Sequence, residues 1–168
     1  METRAMTKTD FDAIVGVIDR WWGGAPGTFA EPVFFHELGE NALVVEDKGE
    51  IVGFLLGFIV PRPVPSGYVQ LVGIDPDYRR RGVGRLLYER FTEVCRAQQC
   101  ERLKAITTAG NEGSLRFHLA LGFLAQEVED YAGPGRKRVV FTKSLGQSLV
   151  PPNEGSAQSG PGGGEVQS

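Results

Sequence analysis

The chain has 168 residues, 41% of them hydrophobic, which suffices for one core and, on length, one domain. Its formal net charge of −3 excludes the global basic surplus of a duplex nucleic-acid binder, though a local basic patch stays open. Two cysteines, Cys95 and Cys100, make no disulfide framework and lack zinc-site spacing, so no metal is expected.

No apolar run is long enough to span a bilayer. The opening stretch METRAMTKTDFD lacks the apolar centre of a signal peptide, so a cytoplasmic protein without membrane or nucleic-acid partners is expected. A first helix is expected in TKTDFDAIVGVIDRWW, with Thr9 or Asp10 as N-cap and Phe11, Ile14, Val15 and Ile18 at helical spacing. GGAPG breaks it. EPVFFHEL reads as a short second helix with Pro32 in its first turn. ALVVED and EIVGFLLGFIV read as strands around a tight turn at 47–49, and YVQLVGI as a third strand ended by Asp75 and Pro76. A long helix follows from near Gly82 towards Gln98, with Val83, Leu87, Phe91 and Val94 on one stripe and Leu86 and Cys95 beside it. RLKAIT is a strand. NEGSLRFHLALGF is a helix begun at Asn111 or Gly113 and stopped by Gly122. FLAQEVEDY and KRVVFTKSL are strands around the turn AGPG. From Gly146 onward the chain is rich in Gly, Pro and Ser with no aromatic residue, and residues 146–168 read as a disordered tail behind a domain of 1–145. The element order predicts an α/β (α+β) protein, with a mainly antiparallel sheet and helices on both faces.

The stretch PDYRRRGVGRLLYERF, at 76–91, carries the chemistry. A helix N-terminus leaves its first N–H groups unpaired and attracts anions. Gly82 and Gly84 leave room for a ligand to approach those groups, and Arg79, Arg80, Arg81 and Arg85 add positive charge around the rim. The third glycine or alanine of a dinucleotide-binding turn is missing, since Leu87 stands there, and the Gly-Lys-Ser/Thr of a nucleotide-triphosphate loop is absent.

What matches is R-x-x-G-x-G, from Arg79 through Gly82 to Gly84, preceded by VGIDPDY. It resembles the acyl-CoA signature of the GNAT superfamily of N-acyltransferases, and the resemblance extends to about Leu145. It implies a GNAT-like sheet with a splayed, V-shaped cleft, acetyl-CoA as co-substrate, and a pantetheine arm lying along Val72, Gly73 and Ile74. The diphosphate would then sit on the N–H groups from Arg80 through Val83 to Arg85. NEGSLRFHLALGF resembles the superfamily's second element through Asn111, Phe117, Leu121, Gly122 and Phe123, with His118 where a tyrosine is usual. Independently, Asn111, Ser114 and His118 step by three and four and share one helical face. The resemblance implies that Asn111 and Ser114 contact the cofactor. It also implies that His118 protonates the departing thiolate, although a role confined to hydrogen bonding or packing is equally open to the residue. The strand acid that often serves as base in relatives is replaced by Gln70, which cannot take a proton.

The acceptor is expected to be a small-molecule or peptide amine, met by Trp21, Trp22, Glu31, Gln70, Asp130 and Tyr131. For the tryptophans, core packing is the alternative. Cys95 falls on an apolar stripe and reads as core, against an acyl-cysteine route. Small dimers are common in the superfamily, so a homodimer is among the implied assemblies. A non-catalytic acyl-CoA-binding regulator is the alternative to the enzyme, and an arginine-patch nucleic-acid module a third.

Overall fold

In a computed structural model of the chain, residues 1–23 and 31–146 are described. Most of the GGAPG break and of the Gly/Pro/Ser-rich C-terminal stretch lies outside those residues. Seven strands form one sheet in the order β1-β2-β3-β4-β5-β7-β6. They are β1 Glu2–Ala5, β2 Leu43–Asp47, β3 Glu50–Val60, β4 Ser66–Ile74, β5 Arg102–Thr108, β6 Leu124–Val128 and β7 Arg138–Ser144. Every adjacent pair is antiparallel except β4 with β5. Helices α1 Lys8–Trp21 and α2 Val33–His36 pack on one face, α3 Val83–Ala97 and α4 Glu112–Ala120 on the other. This is the mixed, mainly antiparallel sheet that the element order predicted. Alternation along the strands divides the core: Val44, Phe54 and Leu56 face α1, whereas Val45 and Leu55 face α3, joined by Val52, the extra residue of a bulge between β2 and β3. Among the described residues no helix is long and apolar enough to cross a membrane.

The start of α1 corrects the sequence reading by one turn. Its N-cap is Thr7, and Asp10 is the third helical residue. Thr7 N donates to Oδ2 of Asp10 at 2.7 Å, while Asp10 N donates to Oγ1 of Thr7 at 3.3 Å, a reciprocal capping box. Arg4 of β1 grips both Asp10 oxygens at 2.6 and 3.0 Å and reaches Glu46 of β2 at 2.9 Å. The Arg4 hydrogen bonds hold the Asp10 carboxyl far below its ordinary value of 3.8. Because the folded value is depressed, the stabilisation is complete above about pH 4 and disappears as pH falls through the folded value. Asp10→Ala is expected to cost about 1–2 kcal/mol at pH 7 by urea unfolding. The gap from wild type should close as the pH falls below 4.

Helix α3 lies in a trough of glycines. A Cβ on Gly53 would come within 2.6 Å of Val83, and one on Gly57 within 2.5 Å of Phe91. One on Gly67 would collide with Cys95. Val83, Leu87, Phe91 and Cys95 recur every four residues along the helix, so one stripe seats on three glycines of β3 and β4. That close approach brings the N-terminus of α3 onto the end of β4. Gly57→Ala must displace the Phe91 ring and is expected to lower stability by about 1–3 kcal/mol in the same assay.

Candidate active site

Strands β4 and β5 pair only from Ser66↔Arg102 to Val69↔Ala105. Beyond that point both strands continue, to Ile74 and Thr108, without pairing to each other. The divergence coincides with a bulge. Leu56 of β3 pairs with Leu71 and Gly57 with Val69, so Gln70 is the extra residue. Past the bulge, the N–H of Asp75 donates to Val52 O on β3 at 3.0 Å. Antiparallel backbone groups alternate direction, so Gly73 also points to β3, whereas Val72 and Ile74 point their N–H and C=O into the gap left by β5. Two half-buried residues thus present an unpaired strand edge inside the molecule. Gly73 does something else. A Cβ there would strike the Phe54 ring, so this glycine serves packing and the β3 ladder.

The N-terminus of α3 adjoins that edge. Its N-cap, Gly82, has φ +85° and makes no side-chain cap, and a Cβ there would project into open space. The first turn, Val83, Gly84 and Arg85, therefore offers backbone N–H groups that have no partner among the described residues. Arg80, also at positive φ, 61°, and Arg81 are exposed on the approach, the latter over the Tyr78 ring at 5.0 Å. Two expectations change here. Gly84 is buried rather than ligand-facing, because a Cβ would come within 2.8 Å of Phe117 and 2.9 Å of Ile74. The Arg79 guanidinium donates to the carbonyl of Trp21 at the end of α1, so it ties α1 to the turn. Arg85 is exposed and borders a groove of about 330 Å³ with Glu89, Arg96 and Lys143.

The second motif also changes role. Asn111 caps α4: its Oδ1 accepts from Ser114 N at 3.0 Å, and its Nδ2 donates to Thr107 Oγ1 at 3.1 Å. His118 is 4% exposed, with its ring stacked on Phe141 at 4.0 Å. Nδ1 lies 2.8 Å from Ser114 O and 3.3 Å from Ser114 Oγ. A carbonyl only accepts, so Nδ1 carries the proton and Nε2 accepts from the Tyr88 hydroxyl at 2.8 Å. Burial lowers the imidazole's affinity for a second proton. A neutral ring whose one proton is held by a carbonyl has none to deliver, so the expected acid role is not what this geometry supports. Tyr88 is the residue that the sequence reading missed. It falls on the same α3 stripe as Gly84 and Phe91, a spacing that could have marked it as core.

Residues 11–123 match the model of the Acetyltransferase (GNAT) family. The chain belongs to the GNAT acetyltransferases. It is 24% identical over 148 residues to an acetyltransferase of Photorhabdus laumondii, covering 86% of this chain and 96% of that one. Among solved structures it resembles the ribosomal-protein-S18-alanine N-acetyltransferase of Escherichia coli, with TM-score 0.69 and 18% identity over 88% of this chain and 95% of that one. It also resembles an aminoglycoside 6′-N-acetyltransferase complexed with coenzyme A, with TM-score 0.66 and 13% identity over 86% and 97% of the two chains. The family uses acyl-CoA.

The acceptor-side expectations for this GNAT protein divide. Trp21 is 2% exposed and belongs to the core beside Phe54, with ring centroids 6.1 Å apart, so it is no pocket wall. Trp22 is half-buried against the same ring at 6.5 Å. Glu31 is exposed. Asp130 closes its own loop, its Oδ1 accepting from Gly135 N at 2.6 Å. Gln70 stands at the bulge, and Tyr131 is 44% exposed. Cys95 is fully buried and its thiol pKa is driven up by that burial, as a core residue requires. Among the described residues no cluster of His, Cys, Asp and Glu could hold a metal.

Proposed function

We propose that this GNAT acetyltransferase, as a domain of residues 1–145, moves an acetyl group from acetyl-CoA to a primary amine by direct attack in a ternary complex. The observation that carries the reading is the unpaired edge at Val72 and Ile74 beside the uncapped first turn of α3. An extended arm with amide groups fits such an edge as an added strand. A diphosphate fits the N–H groups of Val83, Gly84 and Arg85, with Arg80 and Arg81 adding charge.

Acetyl-CoA supplies an activated carbonyl: a C–N bond forms as the C–S bond breaks, sulfur leaves with the electron pair, and the amine gives up a proton to solvent. The Ile74 or Val72 N–H is placed to donate to the carbonyl oxygen as charge builds there; such donors are worth about 10²–10³ in rate. A thiol of ordinary pKa, about 8.5, departs as thiolate without a side-chain acid. Gln70 takes no proton, which favours an amine that is partly neutral at pH 7. An α-amino group, pKa about 7.7–8.0, meets that condition better than a lysine side chain near 10.4. A small-molecule or peptide amine is the acceptor class.

Gln70 together with the buried His118 also supports the second reading, an acyl-CoA-binding regulator without turnover. A CoA-release assay across a panel of small amines and peptide N-termini tests the choice. Release that depends on acceptor supports transfer; acetyl-CoA binding with no release on any amine supports the regulator.

A further inference from the structure

The face of β4 turned away from α3 carries a row of rings that the chemistry above leaves unused. Phe34 of α2, Phe58 of β3 and Tyr68 of β4 follow one another, with centroids 6.4 and 5.2 Å apart and planes within 12° and 24° of parallel. None of the three is fully buried. Tyr131 arrives from the β6–β7 loop, close enough that its phenol adds to the effect of burial in pushing Tyr68 up to about 12. The Tyr68 hydroxyl has no hydrogen-bond partner among the described residues.

The position of the row decides its use. Gly67 and Val69 face α3, so Tyr68 faces the opposite side, two residues before the bulge at Gln70 where β4 and β5 part. A thioester whose diphosphate sits on α3 enters the gap from the α3 face. The amine must therefore come from the other face, beside Tyr68.

We infer that Phe34, Phe58, Tyr68 and Tyr131 form the specificity wall for the acceptor, which carries a flat aromatic group beside its amine. The inference rests on the transfer reading above. The ring of the acceptor lies against Tyr68 and Phe58, with Tyr131 at its exposed edge. Offset or edge-to-face ring pairs at such spacings add about 0.5–1.5 kcal/mol beyond the area they bury.

The experiment compares phenylalaninamide with leucinamide and lysinamide as acceptors, three α-amines that differ in the side chain, following CoA release by the full chain. Phenylalaninamide is expected to have a kcat/KM at least about tenfold higher, carried by KM. Tyr68→Ala should erase that ratio, and Tyr68→Phe should restore it. Tyr131→Ala, at an exposed site that the fold does not need, should shrink it. Equal kcat/KM for the three amines in wild type overturns the wall while leaving transfer standing. A fall in kcat with unchanged KM in Tyr68→Phe also overturns it, by giving the hydroxyl a part in the chemistry. Calorimetric binding of acetyl-CoA with no release on any amine overturns the transfer reading, and the wall with it.

Discussion

Gly82→Glu is expected to weaken acetyl-CoA binding at least about a hundredfold, a loss of about 2.7 kcal/mol. Gly82 sits at the N-cap of α3 at φ +85°, with open space where a Cβ would be, so a side chain there projects towards the proposed diphosphate position. Glutamate adds a like charge at that spot and competes for the same N–H groups. The left-handed backbone also costs about 1–2 kcal/mol with most side chains. Gly82→Asn separates the two effects, because asparagine tolerates that conformation while adding no charge. Calorimetry should show Asn falling between wild type and Glu. Equal affinities for Asn and Glu would remove the diphosphate from this turn. Gly84 is the wrong probe: its substitution would push on Phe117 and Ile74, so lost binding would report packing.

The second large effect concerns the buried Tyr88–His118 pair. Tyr88→Phe is expected to destabilise the fold by about 1–3 kcal/mol, because Nε2 of His118 loses its donor inside the core. His118→Phe strands the Tyr88 hydroxyl in the same way, and the double variant should recover much of either loss. The imidazole's folded pKa is depressed by burial. Its stabilisation is therefore present above the free value of about 6.5 and lost as pH falls from there through the lower folded value. Urea unfolding at pH 7.5 and 5.5 should show that acid-side loss in wild type and not in His118→Phe. Turnover should survive in the folded variant. A drop of 10²–10⁴ in kcat at unchanged acetyl-CoA affinity would instead return His118 to the chemistry as its acid.

These two sites show what local patterns could and could not tell. The strands and α3 were legible because period two and period 3.6 survive in short windows. The start of α1 was not. Thr7 lies outside the apolar periodicity that begins at Phe11, and its partner Asp10 stands where a glutamate usually completes the box. The splay of β4 from β5 rested on a family resemblance, because an unpaired edge depends on which strand comes next to it in space. Gly82 and Gly84 look alike in sequence but serve different ends: one has a left-handed backbone facing open space, the other fits against the ring of Phe117, 33 residues on. Arg79 reads as a cofactor contact and His118 as the acid because their partners, the Trp21 carbonyl and Tyr88, are distant in sequence. Residues that build a site from afar carry no local signature.

The central claim is that backbone amides on the free edge of β4 and in the first turn of α3 hold the acyl donor. Amide hydrogen exchange of the full chain, with and without saturating acetyl-CoA, reads those groups directly. The account predicts new protection at Val72, Ile74 and Val83 to Arg85, with β1, β2 and β6 unchanged. Saturation that leaves those amides exchanging at their free rate, or protection centred on another part of the sheet, would contradict it.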